Sequence, residues 1–298
     1  MVFNVYDHVD PRSRDWAFVG TPLYPLVTCG CYLLFVYVIG PRYMKNRPAL
    51  DLRWPMKVHN MFMVMANAYF FTQFSRHSVF AGYNLLCQGM TYSTDANSLR
   101  LLELGWWFLL VRTLDFLDTA FFILRKKFDH VSFHHVSHHF CCIFFGHLWL
   151  SLGMDGQSWF GICVNCGIHV LMHTYYFLAA CGPKAKLHRW WKSHLTSAQI
   201  YQHYAIIAHG LIPLFYDCGY PRVLIFIALP QGVLGLMLFL NFYKTTYQSA
   251  ESLMDVVPGA LCVLTDHHDP LKLQKMLKHF DETEAPSRCL PLSNKKTG

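Results

Sequence analysis

The chain has 298 residues, of which 53% are hydrophobic and 16% aromatic, while only 14% are Asp, Glu, Lys or Arg. Soluble domains carry about 25% charged residues, so this composition and its long apolar runs exclude a soluble protein. The formal net charge is +7. It lies mostly between the apolar runs, where it indicates orientation in a membrane and not a nucleic-acid partner.

Seven apolar runs are long enough to cross a bilayer, which requires roughly 20 residues per helix. In chain order they cover about residues 22–40, 58–80, 101–124, 133–154, 159–181, 195–216 and 223–243. The third and sixth are interrupted by polar residues. The predicted fold class is therefore all-α: an integral membrane protein with seven transmembrane helices. The first twenty residues contain several charges and no apolar run, so we expect the first helix to act as its own insertion signal.

The Lys and Arg residues predict the orientation of these helices. Most of the 25 fall in four segments, 41–57, 125–127, 182–193 and the part after residue 243, which lie on one side of a seven-helix protein. Because cytosolic loops are rich in Lys and Arg, we predict a lumenal segment over 1–20, a transmembrane domain over 21–247 and a cytosolic tail over 248–298. Lys295 and Lys296 have the spacing of a dilysine retrieval signal, which favours the endoplasmic reticulum membrane.

The 11 cysteines show no spacing typical of a metal site. Six of them fall inside predicted helices, where we expect small buried hydrophobic residues and not a disulfide framework. They are Cys29, Cys31, Cys141, Cys142, Cys163 and Cys166.

Polar residues share one face in each of four consecutive predicted helices. They are Arg112, Asp115, Asp118 and Thr119 in the third, His135, His138 and His139 in the fourth with His134 beside them, Asn165, His169, Met172, His173 and Tyr176 in the fifth, and Thr196, Gln199 and His203 in the sixth with Gln202 beside them. A single polar residue in a membrane helix often only bonds to a neighbouring helix. Here all four groups lie about 6 to 12 Å below the cytosolic surface. Their matched depth predicts one buried polar pocket that opens to the cytosol.

In this order the motifs resemble the ELO family, the elongases of the endoplasmic reticulum that condense long-chain acyl-CoA with malonyl-CoA. The similarity covers about residues 15–247. The segment "RTLDFLDTA" is similar to the family's Lys-x-x-Glu-x-x-Asp-Thr block, "HVSHH" to its histidine box, "NCGIHVLMHTYY" to its Asn-x-x-x-His-x-x-Met-Tyr block and "TSAQIYQ" to its Thr-x-x-Gln-x-x-Gln block. Arg112 and Asp115 keep the charge of the family's residues, whereas His173 replaces the usual tyrosine.

The resemblance implies a very-long-chain 3-oxoacyl-CoA synthase, in which helices two to seven form a six-helix barrel around an acyl-chain tunnel. It also implies a covalent acyl-imidazole on His138, with His169 nearby. Histidine is the expected nucleophile because no cysteine in the sequence has a recognisable basic neighbour in a partly exposed site. His135 and His139 would orient the nucleophile or stabilise an oxyanion.

The remaining residues of the polar faces have supporting roles in this interpretation. Asn165 and Gln199 would bond to thioester or malonyl oxygens, and Arg112, Asp115 and Asp118 would hold the helix and the imidazole tautomers, with direct proton transfer as the alternative. Thr119, Met172, His173, Tyr176, Thr196 and Gln202 complete the supporting set. Lys184, Lys186, Arg189 and Lys192 suit the phosphates of CoA, although membrane orientation alone also accounts for them.

No cofactor and no metal ion is expected. The expected partners are acyl-CoA and malonyl-CoA as substrates, membrane lipid, and the ketoacyl reductase, dehydratase and enoyl reductase of the elongation cycle. The sequence leaves the oligomeric state open, and a homo-oligomer is compatible with it.

Two rival functions fit part of the sequence. A diiron desaturase or hydroxylase also uses His-x-x-His-His boxes as iron ligands, but such enzymes spread eight or more histidines over three boxes and only one full box occurs here. A transporter could use Arg112, Asp115 and Asp118 as an ion path. No polar face continues to the lumenal side of these helices, which argues against it.

Overall fold

The described part of the chain is built from helices alone. The computed structural model describes residues 9–182 and 189–248, without the side chains of residues 189, 190 and 248. Within these ranges there is no β-strand. The α-helices, in chain order, are α1 (Leu23–Met44, with a π-helical turn at Phe35–Ile39), α2 (Arg53–His77), α3 (Ala96–Thr113), α4 (Phe116–Leu124), α5 (Phe133–Ser151), α6 (Ser158–Ala180), α7 (Arg189–Phe215) and α8 (Arg222–Tyr243).

The prediction of one continuous third helix was wrong at one point. α3 and α4 are separated at Leu114 and Asp115, where the backbone tightens into a 3₁₀ turn: Asp115 N–H donates to the Arg112 carbonyl at 3.1 Å and Asp118 N–H to the Asp115 carbonyl at 3.1 Å. Short 3₁₀ stretches inside helices often occur at functional positions. The turn lies in the middle of the predicted ionic face and changes the direction of its side chains.

Three described helices are long and apolar enough to cross a membrane by themselves: Leu23–Met44, Ser158–Ala180 and Arg222–Tyr247, with mean hydropathies of 1.8, 1.3 and 2.4. This fits a multi-pass membrane protein. The other predicted spans also coincide with helices, but polar and charged residues within them lower their hydropathy. The count of seven spans therefore stays a prediction.

Aromatic packing holds the helices that carry the polar residues. α2 lies along α6 and also contacts α3, while α5 packs against α1 and α3. Phe74 of α2 contacts Trp159 of α6 with ring centroids 4.8 Å apart, and Phe70 meets Phe108 of α3 at 5.5 Å. Lipid offers no hydrophobic driving force for helix association, so such van der Waals packing and buried polar contacts hold a membrane bundle together.

Capping residues determine where α3 and α5 begin. Asp95 accepts hydrogen bonds from the N–H groups of Asn97 and Ser98 at 2.8 and 3.0 Å, and Ser132 accepts one from His135 N–H at 3.2 Å. The Ser93 hydroxyl also donates to Asp95, and these bonds hold the pKa of this carboxyl below its ordinary value of 3.8. A depressed carboxyl pKa stabilises the fold above the unfolded pKa, so this cap weakens only as the pH falls below about 4.

A disulfide joins two loops that the sequence places on the lumenal side. Cys87, in the segment between α2 and α3, is bonded to Cys218, between α7 and α8, with a Cα–Cα distance of 5.8 Å. Neither cysteine lies in a predicted span, so the prediction for the six span cysteines did not cover them. Those six carry no disulfide; Cys29, Cys163 and Cys166 are buried as expected, whereas Cys31 is exposed.

We expect the Cys87→Ser variant to lower the free energy of unfolding by about 2–4 kcal/mol, because the bond closes a loop of 131 residues in the unfolded chain. Thermal unfolding in detergent, with and without reductant, measures this. Reductant should lower the Tm of the wild type and leave that of Cys87→Ser unchanged. An equal effect on both proteins would contradict the prediction.

The chain divides into two compact units after Phe239. The described part of the second unit contains the end of α8 and a π-helical turn at Lys244–Gln248. There the Thr245 hydroxyl donates to the Asn241 carbonyl at 3.0 Å. The predicted cytosolic tail and its dilysine pair lie outside the described residues.

Candidate active site

An elongated cavity of about 340 Å³ runs between the helices of the first unit. Ligand pockets typically measure 300–1,000 Å³. Its lining comes from α3, α5, α6, α7, α8 and the connections beside them, and α2 contributes no lining residue among those described. Along α5 the lining passes from His134 and His138 to Trp149. At 1.5 Å per residue, the stretch from His138 to Trp149 is about 16 Å long.

The two ends of the cavity differ in character. Polar side chains collect near the start of α5, namely Arg112, His134, His138, Asn165, Gln202 and His203. Beyond them the lining is largely apolar, with Phe145, Ile162 and Leu229 among its members, until polar side chains return at Gln157 and His209. Ser158 and Tyr220 join through a hydrogen bond of 3.1 Å near the far end. The cavity therefore suits an amphiphile with a reactive polar head and an apolar chain.

His138 is the one member of the predicted box motif, His135, His138 and His139, that lines the cavity. Its Nε2 lies 3.6 Å from the Sγ of Cys142, which also lines the cavity. The expectation that no cysteine has a basic neighbour was therefore wrong. The two residues are four positions apart on α5, so they face the same side of the helix. This spacing of four residues is visible in the sequence, so the contact between His138 and Cys142 could have been predicted.

His135 and His139 lie behind the cavity wall. Nε2 of His135 is 2.9 Å from the hydroxyl of Thr119, which in turn lies 3.0 Å from the Tyr32 hydroxyl. The rings of His135 and His139 are 4.3 Å apart, and the His139 ring is 5.8 Å from that of His138. Of the three box histidines, one thus lines the cavity, and His135 connects the box to α4 and α1 through Thr119 and Tyr32.

Arg112 connects the cavity to His169. Its guanidinium lies 2.7 Å from His169 Nδ1, 2.5 Å from Asn67 Oδ1 and 3.1 Å from Asp115 Oδ2. Arginine only donates hydrogen bonds, so His169 accepts at Nδ1 and its neutral form is favoured. Sequence reasoning missed Asn67, although its position on α2 could have been found by searching that helix for a polar face.

A second group of buried polar residues lies where α2, α4 and α6 meet. His59 Nε2 is 3.3 Å from Asp118 Oδ1, and His173 Nδ1 is 2.9 Å from Asn60 Oδ1. His173 Nε2 also faces Asp115 Oδ1 at 3.8 Å. His59 and Asn60 were missed. Together with Asn67 they show that the second predicted helix carries a polar face as well.

The predicted residues of α7 divide between the cavity and its surroundings. Gln202 and His203 line the cavity, while the Gln199 amide donates to Met172 Sδ at 3.5 Å. Thr196 donates to the Lys192 carbonyl at 3.1 Å. The ring of Tyr176 on α6 lies 6.0 Å from that of His173. Lys192 is in the first turn of α7, because this helix begins earlier than predicted. Lys184 and Lys186 lie outside the described residues, and the side chain of Arg189 is not described.

Fold and cavity together define a helical membrane protein that places imidazoles at the polar end of an apolar, chain-shaped cavity. A family model described as the GNS1/SUR4 family (ELO) matches residues 17–253. The chain belongs to this family.

Curated relatives agree with the family match. Very long chain fatty acid elongase 4 of Mus musculus is 38% identical over 240 residues, covering 80% of this chain and 76% of that protein. Very long chain fatty acid elongase 2 of Mus musculus is 36% identical over 247 residues, covering 82% and 83%. Very long chain fatty acid elongase 7 of Rattus norvegicus is 32% identical over 261 residues, covering 87% and 92%.

Proposed function

We propose that the protein is the condensing enzyme of fatty acid elongation, a very-long-chain 3-oxoacyl-CoA synthase. The observation that carries this proposal is the position of His138, which lines the apolar cavity at its polar end. The names of the relatives support elongation. An acyl chain would lie along α5 toward Trp149, with its thioester carbonyl beside the imidazole.

The proposed reaction has two steps. A neutral His138 nitrogen attacks the acyl-CoA thioester, forms an acyl-imidazole and expels CoA as the leaving thiol. Malonyl-CoA then loses CO₂, and the resulting carbanion equivalent attacks the acyl group and releases the imidazole. In sum, acyl-CoA, malonyl-CoA and one proton give 3-ketoacyl-CoA, CO₂ and CoA, so atoms and charge balance.

Neighbouring residues support these steps through their contacts. Arg112 and Asn165 line the polar end, where their N–H groups can stabilise charge on a thioester oxygen. His169, which binds the same guanidinium, would relay the proton that the departing CoA thiolate takes up. His135 is tied to Thr119 and positions the box. Gln199 contacts Met172 and would act on malonyl oxygens only after moving, so Gln202 is the better placed amide.

We also propose seven spans with the amino terminus in the lumen, the carboxyl terminus in the cytosol and the endoplasmic reticulum as the location. The disulfide between Cys87 and Cys218 supports this orientation, because disulfides persist in oxidising compartments. The predicted six-helix barrel belongs to this proposal, as do the partnership with the three other elongation enzymes and CoA phosphate binding by Lys184, Lys186, Arg189 and Lys192.

Product analysis tests the function directly. Microsomes are prepared from cells that express the chain and are supplied with malonyl-CoA and a panel of acyl-CoAs. They should form 3-ketoacyl-CoA whose acyl chain is two carbons longer than that of each accepted substrate. Mass spectrometry identifies these products. A desaturase would instead return products of unchanged carbon number in an oxygen-dependent reaction, and a transporter would return none. Either result would contradict the proposal.

The diiron alternative requires box histidines to converge on metal. Among the described residues, the sets of three metal-ligand side chains with ligand atoms within 4.8 Å of one another use His59, Asp115, Asp118, His169 and His173. None of these sets contains His135, His138 or His139. The geometry therefore favours a reactive imidazole in the box over an iron ligand.

Cys142 is the competing nucleophile, because a thiol beside an imidazole can form an acyl-thioester. We expect Cys142→Ala to keep condensation within about threefold of wild type, since the removed thiol is only a weak hydrogen-bond partner of His138. Initial rates of 3-ketoacyl-CoA formation measure this. If Cys142→Ala lost as much activity as a His138 variant, the covalent acyl group would be assigned to Cys142 instead of His138.

A further inference from the structure

Two imidazoles and a carboxylate meet behind the cavity, each from a different helix. The ligand atoms of His59 (α2), Asp118 (α4) and His173 (α6) all lie within 4.8 Å of one another. The side chains of His59 and His173 are 6% and 0% exposed, and that of Asp118 is 13% exposed. The proposed condensation makes no use of this group, which contains none of the box histidines.

The hydrogen bonds around Asn60 determine the tautomer of His173. The Asn60 amide donates from Nδ2 to the Met56 carbonyl at 2.7 Å, so its Oδ1 is the atom that faces His173 Nδ1 at 2.9 Å. An amide oxygen only accepts, and His173 Nδ1 must therefore carry the proton. In a neutral imidazole the other nitrogen, Nε2, then presents a lone pair to Asp115 Oδ1 at 3.8 Å. A lone pair that faces a carboxylate is repelled by it, and either a bound cation or a proton on Nε2 removes that repulsion.

Among the described residues, His59 Nε2, His173 Nε2 and Asp115 Oδ1 are buried without a hydrogen bond of normal geometry, and the nearest partner of His59 Nε2 is Asp118 Oδ1 at 3.3 Å. A buried polar atom left without a partner costs about 1–3 kcal/mol. His59 Nε2 faces Asp118 Oδ1 at 3.3 Å and His173 Nε2 faces Asp115 Oδ1 at 3.8 Å, so a cation bound between the two imidazoles would give each nitrogen a partner.

We propose that His59, Asp118 and His173 bind one zinc ion, or a divalent ion of similar chemistry, with the fourth position open to a further ligand. Two imidazole nitrogens with carboxylate oxygens form a donor set that zinc prefers at about 2.0–2.2 Å. The 3.3 Å between His59 Nε2 and Asp118 Oδ1 is close to the separation of neighbouring ligands on a tetrahedral ion of that size, about 3.3 Å. The oxygen-rich coordination that Mg²⁺ and Ca²⁺ require is absent from this donor set.

The surroundings match the supporting contacts of a metal site. Metal-binding histidines usually donate their second ring nitrogen to an oxygen, as His173 does to Asn60. Arg112 holds Asp115 by its other oxygen, Oδ2, at 3.1 Å, so Oδ1 stays directed at His173 Nε2 beside the site. The ion would cross-link α2, α4 and α6 and thereby position Arg112 at the cavity wall. It revises the expectation that the protein holds no metal.

Metal content of the purified full-length chain tests the site. The protein is produced in zinc-supplemented medium with an affinity tag that lacks histidine and is analysed by inductively coupled plasma mass spectrometry. We expect about one zinc per chain. His173→Tyr, which keeps an aromatic ring, and His59→Gln should each lower this content at least tenfold. His77→Gln, at the other end of α2 and bonded to Asn97, should retain it.

X-ray absorption at the zinc edge separates this site from adventitious binding to cysteine, because nitrogen and oxygen ligands at about 2.0–2.2 Å differ from sulfur at about 2.3 Å. A strong chelator should lower the Tm of the wild type and of His77→Gln while leaving that of His173→Tyr unchanged. These measurements use no substrate, so they remain decisive if condensation itself is not observed.

Several results would overturn the proposal. A wild-type protein that stays metal-free in excess zinc would show that a protonated His173 supplies the positive charge instead. Zinc that is retained in monodisperse His173→Tyr and His59→Gln, or that is bound through sulfur, would place the metal elsewhere. Two iron ions per chain would contradict both this site and the condensing function.

Discussion

Replacing His138 with alanine is expected to reduce the initial rate of 3-ketoacyl-CoA formation by on the order of 10³-fold or more, because removal of a covalent nucleophile eliminates the principal reaction path. His138 faces the cavity and has Cys142 Sγ at 3.6 Å as its hydrogen-bonding contact. Neither of the other two box histidines, His135 and His139, lines the cavity to replace it. Mass spectrometry of products formed from acyl-CoA and malonyl-CoA measures the loss.

His147 provides a matched control on the same helix. It is buried, binds the Phe18 carbonyl and does not line the cavity. His147→Gln should therefore keep the activity per folded molecule, with folding checked by size-exclusion chromatography. Incubating the wild type with acyl-CoA alone should also leave an acyl group on the peptide that contains His138. A peptide acylated on Cys142 or His169, or full activity in His138→Ala, would refute the assignment.

Filling the cavity at Gly210 is expected to shift substrate preference toward shorter acyl chains. Gly210 lines the apolar part of the cavity, and a Cβ built on it meets no atom within 4 Å. A leucine side chain at this position can therefore enter the cavity without displacing the wall. Each methylene that loses its buried position costs about 0.8 kcal/mol. Excluding two methylenes should change the ratio of kcat/KM values between long and short acyl-CoAs by about tenfold.

Gly30 is the control for this substitution. It lies on the exposed side of α1, outside the cavity lining, and its Cβ position is also open. Gly30→Leu should therefore leave the chain-length profile unchanged. The measurement is the distribution of 3-ketoacyl-CoA products from substrates of increasing length, compared at equal amounts of folded protein. An unchanged profile in Gly210→Leu would mean that the acyl chain lies elsewhere.

The two expected results test different parts of the same cavity. His138 variants test the chemistry at its polar end, whereas Gly210 variants test the binding of the chain along α5 and α7. Loss of activity in His138→Ala together with an unchanged chain-length profile in Gly210→Leu, or full activity in His138→Ala together with a shifted profile in Gly210→Leu, would show that the cavity and the reaction are not linked. The zinc site is separate from both, because its readout is metal content and not product.

Much of the helical arrangement followed from the amino-acid sequence. Apolar runs of about 20 residues predict helices wherever backbone groups must be satisfied inside lipid, and in the described residues each predicted span coincides with one helix except the third, which covers α3 and α4. The histidine box, Asn165 and Gln202 could likewise be chosen from the sequence, because polar residues in such helices are costly and few.

The break at Leu114 and Asp115 could not be read from hydropathy. It depends on local hydrogen bonds and on the ion pair between Arg112 and Asp115, and neither alters the apolar pattern. The disulfide was missed for a similar reason: Cys87 and Cys218 are 131 residues apart, and no spacing rule connects loops that only folding brings together. Periodicity assigns a residue to a face of its own helix but does not identify the helix that it faces.

The sequence by itself determined the class of protein, the helices and the residues able to do chemistry, because these depend on the local cost of placing polar groups in lipid. Only the tertiary structure decided which of these residues share a space. It places His138 in the cavity and His135 against Thr119, and it brings His59 of α2 beside His173 of α6. Such assignments depend on how helices rotate and pack against one another, which is a property of the whole bundle and not of any single segment.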